Sequence, residues 1–473
     1  MLLWSDQVVL GDHESGLTVE AAAIEVEGCR IRAVSPCDRA GFAELAESYD
    51  EDVIDLSGRL ITPAFVNAHT HLSMAAFRGI GGAAAMRDNV VENLYFALES
   101  HIEDADVRAF ARLGAYESLR AGVAVVWEHY YGGTQLAAAL ADTGLAGFVA
   151  PTLQDLDGPG VARLESQWQA TFDLLANDDL AERGIFPALG PHATDTVSGD
   201  LWRRITDAAT THDLTVHAHL AQSIEELRRA WQRHGTSALG WLARTGALEA
   251  RCLLVHGIFL SQQDLALLDP TRHTLGFCPY SQLQFSFPAD VQGWQAAGVP
   301  WLVATDCAAS NDGMGPQKEL RYVAGLRAMA AASSTEQVAF RESGSLADAE
   351  ALQNRRQRTF DAWPNWADPA QLLARVWSIP GQLDPKMPSG VIAPGAWAHL
   401  LTWDVAHPNF WPGTDVLRTL AYAEPTDALD GMMVSGRWIG QPGQLRSALL
   451  HDGDYDDARR EADARLKLLL ARI

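Results

Sequence analysis

Two imidazoles spaced two apart at the end of an apolar run can meet one metal ion. The chain carries such a pair, His69 and His71, in "FVNAHTHLSMAAFRG". On a strand, residues i and i+2 point to the same face. "TVHAHLAQS" repeats the spacing with His217 and His219. His256 in "LLVHGIFL" and Asp306 in "WLVATDCAASN" each interrupt an apolar run that would not otherwise carry a polar group. An Asp buried at such a position must be paired, hydrogen-bonded or bound to metal. Each of these histidines alone reads more readily as a satisfied structural residue. Together, histidines and a carboxylate at the ends of separate strands form a good site for Zn²⁺, or for Fe²⁺ or Co²⁺. A divalent ion there makes its water acidic near neutral pH. Asp306, touching both ion and water, could then take that water's proton.

Positioning these groups requires a repeated strand-and-helix frame. Between about 63 and 330, short apolar runs such as "AGVAVVWEHYY", "LAGFVAPTL", "GIFPALGPHA", "RCLLVHGIFL" and "GVPWLVATDCAA" alternate with helical text such as "GDLWRRITDAATTH" and "SIEELRRAWQRHG". This alternation predicts an α/β fold, a parallel (β/α)8 TIM barrel, in which active residues sit where strands end. The His and Asp residues fall at those ends. Residues 1–62 read as short strands and turns, and strand-like text returns after 387. The expected organisation is therefore a small β-sandwich begun by 1–62, a metal-dependent barrel over 63–387, and the rest of the sandwich plus a terminal amphipathic helix over 388–473. Residues 331–370 read as a helical excursion or lid. Its "FDAWPNWADP" could place Trp363 and Trp366 as an aromatic wall over a flat ligand, with Trp377 and Trp411 nearby. Asn89, Asn93 and Tyr95 follow the first barrel strand and are candidates for the rim of its mouth.

The 473 residues are 48% hydrophobic and 20% charged, with a formal net charge of −24. So acidic a chain lacks the basic footprint that nucleic acids and anionic membranes require. No run approaches the roughly 18 apolar residues of a membrane span. The first residues, "MLLWSDQVVLGDHESG", have neither a basic segment nor a long apolar core, so they do not read as a signal peptide. Five scattered cysteines without a CxxC pair fit a reducing, cytoplasmic setting rather than a disulfide framework.

These residues resemble the amidohydrolase superfamily, in its cytosine deaminase-like and triazine hydrolase-like branch. "TPAFVNAHTHLSMAAFRG" is similar to the family's P-G-F-V-N-x-H-T-H segment, and "GPHATDTVS" to its P-H-A-P-Y-T-V-S loop. "HGTSALGWLARTGAL", "VHGIFLS", "CPYSQLQF" and "ATDCAASND" then follow in family order. The likeness runs along nearly the whole chain. It implies one divalent metal held by His69, His71, His219 and Asp306, with zinc the first expectation. It also implies His256 beside the reacting group, His192 in contact with substrate, and a homo-oligomer, dimer or higher, acting on a small molecule.

One departure bears on the chemistry. Three residues after the third metal histidine the family has a Glu that carries a proton from the water to the ring nitrogen; this chain has Gln222. An amide cannot perform that transfer. Asp195 replaces a family Tyr near the pocket, Cys278 stands within the family's H-x-P motif, and His399 replaces an Asp of the sandwich. Three readings follow. The first is a metal-dependent hydrolase with an altered proton path. In it Asp306 serves as base, His256 protonates the leaving group, and Gln222 orients a carbamate-, amide- or N-heterocycle-like substrate. The second is a deaminase of a purine, pyrimidine or triazine that uses another acid, with Glu128, Asp195 and Glu225 as candidates. The third is a non-catalytic metal-binding relative.

Overall fold

In the computed structural model, residues 1–49, 52–80 and 89–472 are described. The first strands, β1 (Leu2–Asp12), β2 (Gly16–Glu27) and β3 (Arg30–Pro36), form an antiparallel meander. β4 (Val53–Asp55) and β5 (Arg59–Pro63) then pair parallel to β1.

Fully buried strands follow: β6 (Phe65–His71), β7 (Val123–Tyr130), β8 (Ala146–Leu153), the short β9 (Ile185–Pro187) and β10 (Gly190–Pro191), and β11 (Val216–Leu220). β12 (Cys252–His256), β13 (His273–Phe277), β14 (Trp301–Val303) and β15 (Asp306–Cys307) complete this set. All of their pairings are parallel, in two sheets ordered β10-β8-β7-β6-β15 and β11-β12-β13-β14. Both faces of such strands are covered, which is why they read as unbroken apolar runs.

The two parallel sheets meet at both edges. Leu189 bridges Val216 on one side. On the other, β14 runs on through Ala304, whose N–H donates to the Phe277 carbonyl on β13 at 2.9 Å, to Thr305, which Asn67 on β6 holds through its side chain at 2.7 and 3.1 Å.

The chain then returns to the first sheet. β16 (Leu400–Asp404) pairs antiparallel with β5, and β17 (Leu429–Val434) and β18 (Arg437–Gly440) extend it. Both ends of the chain thus build one eight-stranded mixed sheet. Its own apolar cluster includes Leu3, Val8, Ile24, Ile61, Leu400 and Met433. The molecule is α/β with mixed sheets.

Helices between the parallel strands carry clear stop and start chemistry. The Ser198 hydroxyl accepts from the Leu201 N–H to open Gly199–His212, and Ser223 does the same for Glu226 to open Ile224–His234, which ends at Gly235 in the left-handed region. The expected terminal helix is Gly453–Arg472. It lies on Asp104–Arg120, where Tyr455 meets Tyr116 edge to face at 5.3 Å and Arg472 pairs with buried Asp106 at 2.9 Å. No helix among the described residues is long and apolar enough to cross a membrane.

The excursion after residue 331 is helical, with Thr335–Ser343 and Leu346–Ala362. It does not form the expected aromatic wall. Trp366 stacks on Trp301 at 5.4 Å and donates its indole N–H to the Val323 carbonyl, and Trp363 packs on Trp366 at 4.4 Å. Trp301 begins β14, the end away from Asp306. Trp377 stacks on Phe65 at the start of β6, and Trp411 is 83% exposed. Trp363 therefore packs at the strand starts and not, as expected, over the barrel mouth. These rings cover the strand starts, whereas the histidines lie at the strand ends.

Candidate metal centre

The ends of β6, β11 and β12 and the start of β15 bring His69, His71, His219, His256 and Asp306 to one place, all buried. Ala221, His256 and Asp306 have positive φ, at +50°, +82° and +67°. Such backbone is rare for residues with a Cβ and gathers at functional sites. Here it falls where β11 and β12 stop and where β15 begins.

The imidazoles are oriented from behind. His71 donates from Nδ1 to the His129 carbonyl, and His219 donates from Nδ1 to the His192 carbonyl at 2.8 Å. A carbonyl only accepts, so each ring carries a proton on Nδ1, and in its neutral form each presents a lone pair at Nε2. His69 Nδ1 meets His217 Nε2 at 2.8 Å, which leaves His69 Nε2 buried without a hydrogen-bond partner. His217 is thus the neighbour that fixes His69. Asp306 Oδ1 lies 3.4 Å from His71 Nε2 and 3.7 Å from His69 Nε2. The Ser281 hydroxyl donates to Asp306 Oδ2 at 2.7 Å.

Such a centre calls for positive charge. Burial pushes the Asp306 carboxyl up, but His71, His256 and the Ser281 hydroxyl outweigh it and hold it at about 2. Burial lowers the proton affinity of His71, and Asp306 more than reverses this. His69 and His219 are held well below the ordinary histidine value, by burial first and by neighbouring rings second. His69, His71 and Asp306 offer ligand atoms within 4.8 Å of one another, as do His69, His219 and His256. Orphaned lone pairs, a carboxylate and rings fixed from behind fit a divalent metal ion.

Above this cluster lies a cavity of about 580 Å³, part of it open to solvent. His71, His192, His219, Gln222, His256 and Asp306 line it, together with Tyr95, Glu99, His129 and Tyr130. An outer cavity shares His192 and Gln222 and adds Asn89, Asn93, Asp195, Glu225 and Phe287. Asn93 thus lies at the outer rim. The Gln222 backbone N–H donates to Glu226 at 2.8 Å, which anchors the residue.

The three candidate replacement acids are dispersed. Glu128 is buried and spent on the Thr70 hydroxyl at 2.6 Å and the Leu72 N–H at 2.9 Å, and it lines neither cavity. Asp195 pairs with Arg229 at 2.8 Å in the outer cavity, and Arg229 also grips Glu92. Glu225 is in the outer cavity, 3.6 Å from Arg228.

His129 and Glu99 escaped the sequence reading. His129 ends an apolar strand just as His256 does, and that criterion would have found it. Glu99 sits in "FALESHIED", whose polarity reads as a surface helix, and no local signal marks it as buried.

Residues 60–354 match the Amidohydrolase family. The chain is 29% identical over 328 residues to a 5'-deoxyadenosine deaminase of Methanothrix thermoacetophila, covering 68% of this chain and 74% of that one. Its fold is similar to that of an adenosine deaminase from Xanthomonas campestris with bound zinc (TM-score 0.77, 22% identity, 99% of this chain and 98% of the other). It is also similar to that of atrazine chlorohydrolase TrzN from Arthrobacter aurescens complexed with zinc (TM-score 0.74, 18% identity, 99% of each chain).

Proposed function

The chain belongs to the amidohydrolase family and is a hydrolase of carbon–nitrogen bonds, and on that premise we propose that it is an aminohydrolase releasing ammonia from a small, adenosine-like N-heterocycle. One observation carries this reading: the Nε2 atoms of His71 and His219 and the Asp306 carboxylate converge at the floor of one cavity. His69, His71, His219 and Asp306 would hold one divalent ion, with zinc the first choice. The finer architecture follows the same reading. The two parallel sheets form a (β/α)8 barrel over about 63–387, and the chain ends form a small β-sandwich.

The ion, when bound, supplies an acidic water and a Lewis acid at the substrate. The residues of the chain supply the rest. Asp306 accepts the water's first proton. His256 has its proton affinity lowered to about 4, mainly by burial, so at neutral pH it is a neutral ring facing the reacting carbon. His192 is likewise neutral, held at about 3 by burial first. It reaches the inner cavity with Nδ1 already tied to the Thr196 hydroxyl at 3.0 Å. Gln222 offers an amide that orients a ring nitrogen or carbonyl. Phe96 and Phe285 line both cavities and exclude water from a planar ring.

The amide at Gln222 supports a second reading, a leaving group that needs little protonation, such as halide, thiolate, alkoxide or activated amine. A substrate panel on metal-quantified protein decides between them. It should span amino-purines, amino-pyrimidines and amino-triazines, their chloro and alkoxy analogues, carbamates and amides. Ammonia from the amino compounds at ordinary turnover establishes the first reading. Release of chloride or alkoxide without ammonia establishes the second.

A further inference from the structure

Glu99 has no task in the mechanism above, yet it lines the same inner cavity as His71, His219, Gln222 and Asp306 and is only 4% exposed. A buried carboxyl is costly unless something binds it. No ion pair holds it among the described residues. The Arg163 guanidinium acts on the carboxyl through its charge alone: its Nη2 donates to the backbone carbonyls of Ile102 at 2.6 Å and Glu99 at 3.5 Å, and its Nη1 has no hydrogen-bond partner among the described residues. The groups facing the carboxyl are the Tyr130 and Tyr131 hydroxyls from the end of β7, Arg163, and His71 from β6. Tyr95 adds a further hydroxyl to the same cavity. Tyr131 gives its proton to Gln154 Oε1 at 3.0 Å. The Tyr130 hydroxyl has no other partner among the described residues and interacts with the carboxyl. The cavity therefore holds a buried carboxyl without an ion pair among the described residues, on a wall it shares with His71, His219 and Asp306.

We propose that Glu99 is the acid–base residue of this site, passing the water's proton to the substrate nitrogen in place of the Glu that Gln222 displaces. The proposal rests on the aminohydrolase reading. In the first step the water oxygen bonds to the ring carbon that bears the amine. The C=N electron pair moves onto the ring nitrogen, and the water's proton passes through Glu99 to that nitrogen. In the second step the new hydroxyl gives its proton to the Glu99 carboxylate. The carboxylate delivers it to the amine, the C–N bond breaks with its pair on nitrogen, and ammonia leaves as the C=O forms. Water and amine become carbonyl and ammonia, and no other reactant is needed. Asp306 still takes the first proton from the water and hands it to Glu99. Tyr130 is a positioning residue whose hydroxyl donates to the ionised carboxylate.

The test compares wild type, Glu99→Gln, Glu99→Gln with Gln222→Glu, and Tyr130→Phe. All are metal-quantified and assayed for ammonia release from adenosine, 5'-deoxyadenosine and an amino-triazine. Glu99→Gln is expected to keep its metal and its melting temperature while kcat falls by about 10²–10⁴-fold with KM little changed. Adding Gln222→Glu is expected to recover most of that loss, which a merely structural Glu99 would not allow. Tyr130→Phe is expected to move the kcat/KM profile to higher pH, since the carboxylate loses a donor. Glu99→Gln activity within about threefold of wild type, against the expected loss, would overturn the proposal while leaving the aminohydrolase reading intact. Absence of ammonia from wild type on all three probes would overturn that reading and this proposal with it. If Glu99→Gln fails to fold, Tyr130→Phe decides: an unmoved pH profile overturns the proposal.

Discussion

His71 Nε2 and His219 Nε2 lie 3.3 Å apart, and in their neutral forms neither has a proton to offer the other. Each ring keeps its proton on Nδ1 for a backbone carbonyl. Two lone pairs and the Asp306 carboxylate therefore face one another in a buried space. Only a cation, either a proton or a metal ion, relieves that arrangement.

Metal binding should therefore stabilise the fold directly. Chelation is expected to lower the melting temperature, and Zn²⁺ at about a thousand times its dissociation constant should restore on the order of 4 kcal/mol. His69→Ala and Asp306→Ala are expected to abolish the difference. Thermal melts paired with elemental analysis check this, and a melt indifferent to chelator in metal-loaded protein would refute it.

Gln222→Glu places a carboxyl at a position whose backbone is already pinned by Glu226. Ammonia release from amino-heterocycles is expected to rise, within the roughly 10²–10⁴-fold that a positioned acid–base group contributes. Steady-state ammonia assays on both proteins measure it. Equal rates would put the proton path wholly elsewhere in the cavity.

Gly114, in the helix Asp104–Arg120, packs directly on the residue after His71. A Cβ there would sit 2.5 Å from the Leu72 carbonyl oxygen. Gly114→Ala gains about 1 kcal/mol of helix propensity, but the overpacking costs roughly 1–3 kcal/mol and displaces the chain at His71. Lower stability and weaker metal retention are expected. Gly325→Ala, where a Cβ would meet nothing within 4 Å, is expected to stabilise instead. Denaturant melts of the two variants compare them.

His399, the residue before β16, is 2% exposed, and its Nδ1 accepts the Ser435 N–H at 3.2 Å. Burial lowers its proton affinity to about 3. Above pH 6.5 both folded and unfolded forms are neutral, and its contribution is fully present. As pH falls from 6.5 toward 3 only the unfolded form takes the proton, so stability is lost by on the order of 1 kcal/mol per pH unit. His399→Gln is expected to flatten that part of the stability–pH curve. Parallel slopes for variant and wild type between pH 6 and pH 4 would count against it.

Much of this site was legible because the parallel strands are buried on both faces. His69, His71, His219, His256 and Asp306 stood out as polar interruptions of apolar runs. His129 satisfied the same test within "VVWEHYY". Glu99 did not, because the groups around it, Tyr130 and Tyr131 among them, are brought together only by tertiary packing. Trp363 was misplaced for the converse reason. Aromatic composition marks a packed surface but not which end of the strands it covers, and Trp301 draws that cluster to the far end. The two-ended mixed sheet was readable as strand text at both termini, whereas its single eight-strand hydrogen-bonded order was not.

The pairing of β5 between β1 and β16 also sets an order of assembly. Only Ala64 separates β5 from β6, which carries His69 and His71. On the ribosome all of the metal-site histidines and Asp306 emerge before residues 400–404. A nascent chain thus presents its ligands while β5 still has an open edge, a template for wrong pairing. Final closure of the strand that feeds the metal centre waits for the last part of the chain to be synthesised.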